Sequence, residues 1–316
     1  MKKFTVFTPT YNRAITLGRV YQSLLNQTNM DFDWLIVDDG SGDNTKELVN
    51  NWIKEGKINI AYHYKKNGGK HTAFLLALDI VKTKYLIAID SDDEFTENAI
   101  ETFFMEWDRI ESSNLEGDIA EIRALSHLYN GVFNGNYFFP VEMDYIDSSW
   151  HEMVLKNENN NELISCWNTQ KLNDCITMPD NIWLSDKIST IGDGVFWSKI
   201  GRKYKTRYIN KSLLIVHFDG DESLMRSKNF KKKHYNSIVF IKYFLDENLQ
   251  YYFWNKKYFT NLVIKFIVSG IELGFSPLYV LRNITSWRLI FTFIVFYPFG
   301  FVAWFYFRFM KKRFWF

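Results

Sequence analysis

Residues 1–110 alternate between two hydrophobic periods. Phe4–Thr8, Trp34–Val37, Ile58–Tyr64 and Tyr85–Ile89 are apolar runs of strand length. Between the first two, Leu17, Val20, Tyr21, Leu24 and Leu25 recur at the spacing of one helix face, within a helix expected over Ala14–Gln27. Asn44 with Glu47 has the form of a capping box opening a helix that carries Leu48 and Trp52. Phe74, Leu75, Leu78 and Val81 mark a third helix. This β-α-β-α-β-α-β order predicts a parallel sheet covered by helices, with right-handed crossovers. Ligands of such sheets bind beyond the carboxyl ends of the strands. The polar clusters fall there: Thr8–Arg13, Asp38–Asp43, Asn67–His71 and Asp90–Glu94. Four strand ends are therefore expected to share one crevice.

Residues 111–220 are less regular. Asn157–Asn161 reads as a polar loop, Asn134-Gly135-Asn136 as a hairpin turn, and Tyr208–Ile209 and Leu213–Phe218 as strands. No internal repeat occurs. Further on the pattern changes. A basic cluster of Arg226, Lys228 and Lys231–Lys233 precedes aromatic-rich helical segments, and Leu289–Phe307 contains no charged residue. Arg288 flanks that run on one side, and Arg308, Lys311, Lys312 and Arg313 on the other.

Composition narrows the class. With 47% hydrophobic residues in 316, the chain can bury a core and is too apolar for intrinsic disorder. Its 38 basic residues nearly match 36 acidic ones, which argues against a nucleic-acid partner, since that normally demands a basic surplus. Cys166 and Cys175 build neither a disulfide framework nor a usual zinc pattern, so the reducing cytosol is expected. Met1-Lys2-Lys3-Phe4 starts like a signal peptide, but Thr8-Pro9-Thr10 and Asn12-Arg13 break the apolar run; no secretory leader is expected.

The clusters suggest chemistry. Asp90-Ser91-Asp92-Asp93 gathers three carboxylates that repel one another unless a cation compensates, and such oxygen-rich sites suit Mg²⁺ or Mn²⁺ shared with a diphosphate. They could equally cap the following helix. Asp38-Asp39-Gly40-Ser41 could accept hydrogen bonds from a ribose or base, or simply make a turn. Thr8–Arg13 offers hydroxyls, the Tyr11 ring and the Arg13 cation to a nucleotide. Asn67-Gly68-Gly69-Lys70-His71-Thr72 opens a helix whose N-terminus, with Lys70, favours a phosphate, although it is no Walker loop.

Taken in order, these pieces resemble the family 2 glycosyltransferases: Phe7-Thr8-Pro9-Thr10-Tyr11-Asn12-Arg13, Val37-Asp38-Asp39-Gly40-Ser41, Asn67-Gly68-Gly69-Lys70 and Ile89-Asp90-Ser91-Asp92-Asp93. The resemblance implies an α/β fold of GT-A type, a doubly wound, mostly parallel sheet with an aromatic-rich helical tail. It implies an inverting enzyme using a nucleoside-diphosphate sugar, a UDP-sugar first, with a divalent metal. Thr8, Tyr11 and Asp39 would hold the nucleotide, Asp90 and Asp92 would form the DxD, and Asp92 would be the direct metal ligand. Ile191-Gly192-Asp193-Gly194-Val195-Phe196-Trp197 is similar to the family's "ED…W" segment, which makes Asp193 the expected base, with Asp186 its nearest competitor. Gly192 stands where the family usually has an acid. His217 could be a late metal ligand or a strand histidine bonded to its neighbours. The QxxRW motif of processive synthases does not occur, favouring transfer of a single sugar. The expected organisation is a catalytic domain over 1–224, split into nucleotide-binding (1–110) and acceptor-binding (111–224) halves, then a membrane-associated helical region over 225–316. A nucleotidyltransferase and a non-catalytic membrane scaffold remain as alternatives.

The tail is expected at the membrane. Leu289–Phe307 would span about 28 Å as a helix, barely the hydrocarbon thickness. Pro298 and Gly300 lie near its middle, so an interfacial or re-entrant hairpin anchored by Trp304 and Tyr306 is expected, at the cytoplasmic face, with a lipid-linked saccharide as acceptor. A buried core helix pair is the alternative.

Overall fold

Strand β1 (Phe4–Thr10) lies between β2 (Phe32–Asp38) and β4 (Tyr85–Ala88) in the computed structural model, with β3 (Ile60–Tyr64) outside β2. All three pairings are parallel, as the sequence pattern requires. β1 and β2 are buried almost throughout, the mark of strands covered on both faces. The crossovers are α1 (Leu17–Leu25), α2 (Thr45–Glu55) and α3 (Lys70–Ile80). Described here are residues 2–113, 115–135, 138–140, 142–157, 161–176, 182–185, 187–188, 191–217 and 230–309.

Two local expectations are corrected. Helix α1 begins at Leu17, because Ala14 N is drawn off to donate to Asp43 Oδ2 at 3.0 Å. The capping box of α2 does not form: Asn44 makes no side-chain cap, and Asp43 Oδ1 instead accepts from Thr45 N (3.1 Å) and Thr45 Oγ1 (2.6 Å).

Among the described residues the sheet has nine strands in the order β3-β2-β1-β4-β8-β6-β9-β5, with β7 also on β9. β8 (Ile164–Asn168) runs antiparallel to both β4 and β6 (Ile119–Leu128), while β9 (Lys205–Val216) runs parallel to β6. β5 (Glu94–Phe95) and β7 (Tyr145–Ser148) both pair antiparallel with β9. The two short strands expected near 208–218 are thus one, with register shifts opposite Ala124–Ser126; Phe218 lies outside the described residues. The turn after β6 closes where Gly131 N donates to Leu128 O at 2.8 Å, upstream of the expected Asn134–Asn136, of which Asn136 lies outside the described residues. So do residues 158–160 of the expected polar loop.

One apolar cluster joins both halves of the sheet, from Phe4, Trp34 and Ile87 to Ile122, Cys166 and Leu213. Tyr21, Trp34 and Trp52 stack in it, with the Tyr21–Trp52 centroids 4.4 Å apart.

Contacts divide the chain into two units, Met1–Thr177 with Lys199–Asp221, and Met178–Ser198 with Glu222–Phe316. After α4 (Ala99–Ser112), α5 (Thr169–Cys175) and the short α6 (Gly194–Gly201), the second is helical: α7 (Phe230–Asn248), α8 (Lys256–Glu272), α9 (Pro277–Arg282) and α10 (Trp287–Phe309). Asp246 anchors the entry to α10, accepting from Thr285 Oγ1 (2.8 Å) and Ser286 N (3.0 Å). Of the basic cluster, Arg226 and Lys228 lie outside the described residues, as do Lys311, Lys312 and Arg313.

The expected re-entrant hairpin is absent. α10 is one continuous helix of 23 residues that runs through Pro298 and Gly300. Its stretch Trp287–Tyr306, of mean hydropathy 1.9, is long and apolar enough to cross a membrane and only 17% buried. Nor is it a core helix: Trp287, Phe291, Ile294, Val295, Phe299 and Val302 stand exposed along it.

Candidate active site

The loops after β1 and β2 are stitched together. Asn12 N donates to Ser41 Oγ (2.8 Å), Gly42 N to Asn12 Oδ1 (2.8 Å) and Arg13 N to Thr45 Oγ1 (3.2 Å). These bonds hold Asn12 at a left-handed φ of 53° and leave Tyr11 exposed on the rim. Thr8 does not face the crevice: it is fully buried, and its hydroxyl accepts from Trp34 Nε1 at 3.0 Å. The sequence expectation for its side chain is corrected accordingly.

Asp38 and Asp39 divide two tasks. Asp38 is wholly buried and secures the turn, accepting from Ser41 N (2.7 Å) and from the Tyr62 hydroxyl (2.5 Å). Asp39 gathers the third loop: Oδ1 accepts from Lys65 Nζ (2.5 Å) and Gly68 N (2.9 Å), and Oδ2 from Gly69 N (2.6 Å). A carboxylate offers about four lone-pair sites, so Oδ2 has room for one further donor from a ligand. Gly40 makes this approach possible. Its φ is 88°, and a Cβ there would lie 2.8 Å from Asn67 N.

Two of the three acids after β4, Asp90 and Asp92, are each matched by a cation from another segment. Lys70 Nζ, at the first turn of α3, lies 2.7 Å from Asp90 Oδ1, and an Arg13 guanidinium nitrogen lies 3.5 Å from Asp92 Oδ2. Burial, aided by the charge of Asp90 and opposed by Arg13, raises the Asp92 carboxyl above its usual range. Asp93 is deeper. Burial first, then Asp90, pushes it up to about 8 against the backbone N–H that His217 donates at 3.2 Å. Glu162, which sequence reasoning missed, belongs to the same field: burial and then Asp90 raise its carboxyl too, while Asn134 Nδ2 donates to it at 3.2 Å. Its signal is unreadable along the chain, because antiparallel β8 brings it beside the end of β4.

The sequence profile of glycosyl transferase family 2 matches residues 5–157, which holds all of these groups but His217 and Glu162. Over that segment the chain is similar to glycosyl transferase family 2. A poly(ribitol-phosphate) β-N-acetylglucosaminyltransferase of Staphylococcus aureus is 37% identical over 108 residues, 33% of this chain and 32% of that protein. A GalNAc(5)-diNAcBac-PP-undecaprenol β-1,3-glucosyltransferase of Campylobacter jejuni is 32% identical over 107 residues, covering 32% of this chain and 33% of its own. The chain thus spans less than half the length of these curated relatives. In fold it is similar to S. aureus TarS 1-349 in complex with UDP-GlcNAc, at a TM-score of 0.61 and 14% identity, over 97% of this chain and 91% of that one. The sheet is therefore of GT-A type.

Outside the family 2 segment, Asp193 stands in the second unit at the threshold of the helix from Gly194, its carbonyl accepting from Phe196 N (2.9 Å) and Trp197 N (3.1 Å). Gly192 has a packing reason to lack the family's acid: a Cβ there would lie 2.8 Å from the Phe240 ring. Asp186 lies outside the described residues. His217 follows β9 rather than sitting within it, with Nε2 2.9 Å from Glu94 Oε1.

Whether these residues suit a divalent cation can be judged from their charges. Four carboxyls (Asp90, Asp92, Asp93, Glu162) share a field with two cations, Lys70 and Arg13. Among the described residues no three His, Cys, Asp or Glu groups converge as an all-protein cage. That combination fits a Mg²⁺-like ion held by one or two carboxylates and completed by donor phosphates and water.

Proposed function

We propose that this chain is an inverting glycosyltransferase that moves one sugar from a nucleoside-diphosphate donor, a UDP-sugar, to a hydroxyl of a saccharide or lipid-linked saccharide. The observation that carries the proposal is the crevice at the ends of β1, β2 and β4, where Asp39, the Lys70–Asp90 pair and the Arg13–Asp92 pair are linked within the family 2 segment. The names of the relatives support the donor and acceptor classes: one similar structure holds UDP-GlcNAc, and one relative acts on an undecaprenol-linked saccharide.

In this reading Oδ2 of Asp39 takes a hydrogen bond from the nucleoside, and Tyr11 supplies an exposed ring for stacking. Lys70 and Arg13 turn from their carboxylates to the diphosphate oxygens, aided by the N-terminus of α3. A Mg²⁺ or Mn²⁺ ion on Asp92 and Asp90 would neutralise charge on the leaving diphosphate. The acceptor oxygen attacks the anomeric carbon, the bond to the diphosphate oxygen breaks with its electron pair, and the hydroxyl proton passes to Asp193. One displacement inverts the centre and needs only one base.

α10 is the membrane-contacting element in this reading, placing the protein peripherally or monotopically at the cytoplasmic face. Its exposed apolar length supports the first part, and two free cysteines, one of them buried, suit a reducing compartment. Incubation with UDP-GlcNAc, UDP-glucose and GDP-mannose should release nucleotide from at least one donor. Asp193→Asn should slow that release by about two to four orders of magnitude while UDP affinity holds. Wild-type protein that neither binds UDP or GDP nor consumes any donor refutes the proposal.

A further inference from the structure

Two side chains near the crevice, Tyr129 and Glu162, are not used by that reading of the donor site. The end of β6 lies between β8 and β9. On the β9 side, Tyr129 N donates to Val216 O at 3.2 Å, and its side chain is 67% exposed. The Tyr129 ring stacks on His217, centroids 5.5 Å apart and planes 12° from parallel. His217 is fixed in turn by its amide to Asp93 and its Nε2 beside Glu94. The aromatic plate is thus held by the same loop that presents Asp90 and Asp92. On the β8 side, the Glu162 carbonyl accepts from Ser126 Oγ at 2.7 Å, and Asn134 Nδ2 donates both to the Glu162 carboxylate and to Ser126 Oγ, each at 3.2 Å. Asn134 is pinned by its own amide to Ser126 O. The Glu162 side chain is therefore oriented, not merely present. The antiparallel register of β8 on β4, with Ser165 opposite Ala88, brings residue 162 beside the end of β4, from which Asp90 and Asp92 follow.

A flat aromatic face stacks on the C–H face of a sugar ring, and an oriented carboxylate accepts from its hydroxyls. Neither group attracts an anion. We infer that Tyr129 and Glu162 are acceptor-positioning residues, and that the acceptor they select is a neutral pyranoside rather than a polyol phosphate. The inference rests on the glycosyl-transfer reading and adds the class of acceptor to it.

The test follows nucleotide release from UDP-GlcNAc and GDP-mannose in water alone, with methyl β-D-glucopyranoside, and with ribitol 5-phosphate. The pyranoside should accelerate release and ribitol 5-phosphate should not. Tyr129→Ala should lower the pyranoside-supported rate, taken relative to the water-supported rate, about three- to tenfold, and Tyr129→Phe should retain it. Glu162→Gln should lower the same ratio about ten- to hundredfold, because a displaced acceptor loses its near-attack geometry. Acceleration by ribitol 5-phosphate alone, no acceleration by the pyranoside, or an unchanged ratio in Tyr129→Ala and Glu162→Gln overturns the inference while leaving glycosyl transfer standing. A wild-type protein that releases no nucleotide under any condition overturns both.

Discussion

His71 offers the sharpest physical test of how the start of α3 is packed. It sits in the first turn of α3, is only 4% exposed, and its Nδ1 has no hydrogen-bond partner among the described residues. Burial lowers its pKa from 6.5 to about 4; the negative charge of Asp39 pulls the other way and Lys65 adds to the lowering, but desolvation wins. Between pH 6.5 and 4 the unfolded chain therefore binds a proton that the native protein refuses. Stability must rise with pH across that window and level off above it. The full difference corresponds to about 3 kcal/mol, of which about 2 is already lost at pH 5. His71→Leu removes the titration while adding a constant offset. Urea midpoints of both proteins, measured from pH 7.5 to 4.5, should diverge: wild type should lose about 2 kcal/mol more than the variant by pH 5. A site-specific NMR titration should place His71 well below 6. Parallel pH profiles, or a His71 resonance that titrates near 6.5, would show that the imidazole is solvated and refute the burial argument.

Three further outcomes follow. Asp92→Asn should abolish the Mn²⁺ dependence of UDP binding with the fold intact, which calorimetry with and without EDTA would show; unchanged metal dependence would release Asp92 from the ligand role. Gly40→Ala should destabilise the protein by about 1–3 kcal/mol and weaken UDP binding, because the methyl meets Asn67 N at 2.8 Å in a left-handed conformation; urea midpoints matching wild type would contradict the close approach. Replacing the exposed Phe291, Val295 and Val302 by Ser should release the protein from anionic liposomes in flotation, since each buried apolar side chain contributes about 1.5–3 kcal/mol; equal flotation would show that another surface binds lipid.

The parallel half of the sheet is legible because its strands, buried on both faces, stand out as unbroken apolar runs between helical periods. Four polar strand ends then locate the crevice. The antiparallel half is not legible in the same way. β8 is five residues long and follows an Asn-rich stretch, and β9 is interrupted by Asn210, Lys211 and Ser212, where its pairing with β6 shifts register. Motifs gave the residue types of the site but not their duties. Asp39 was expected to serve a nucleotide and is mostly occupied in closing the Lys65–Gly69 loop, and Thr8 serves Trp34. Glu162 was missed because its neighbours, Ser126, Asn134 and Asp90, come from three other segments. A carboxylate gathered by tertiary pairing leaves no trace in local spacing.

In the tail, local signals mislead in the opposite direction. Pro298 and Gly300 are strong breakers in water, where a freed carbonyl or a bare backbone finds solvent. In α10 they break nothing. Gly300 packs tightly against α8, since a Cβ there would fall 2.5 Å from Ile267 Cγ2, so its smallness serves helix packing rather than a turn. Trp304 Nε1 and Arg308 both reach Glu272 at the end of α8, at 2.9 Å and 3.3 Å, which fixes the helix beyond the proline. One face of α10 is thereby committed to α8, and the other is left apolar over most of a length of about 34 Å. A helix of this kind has no polar face of its own to show to water. In the proposed membrane contact, a low-dielectric surrounding would favour this continuity, because an unpaired backbone group costs most there.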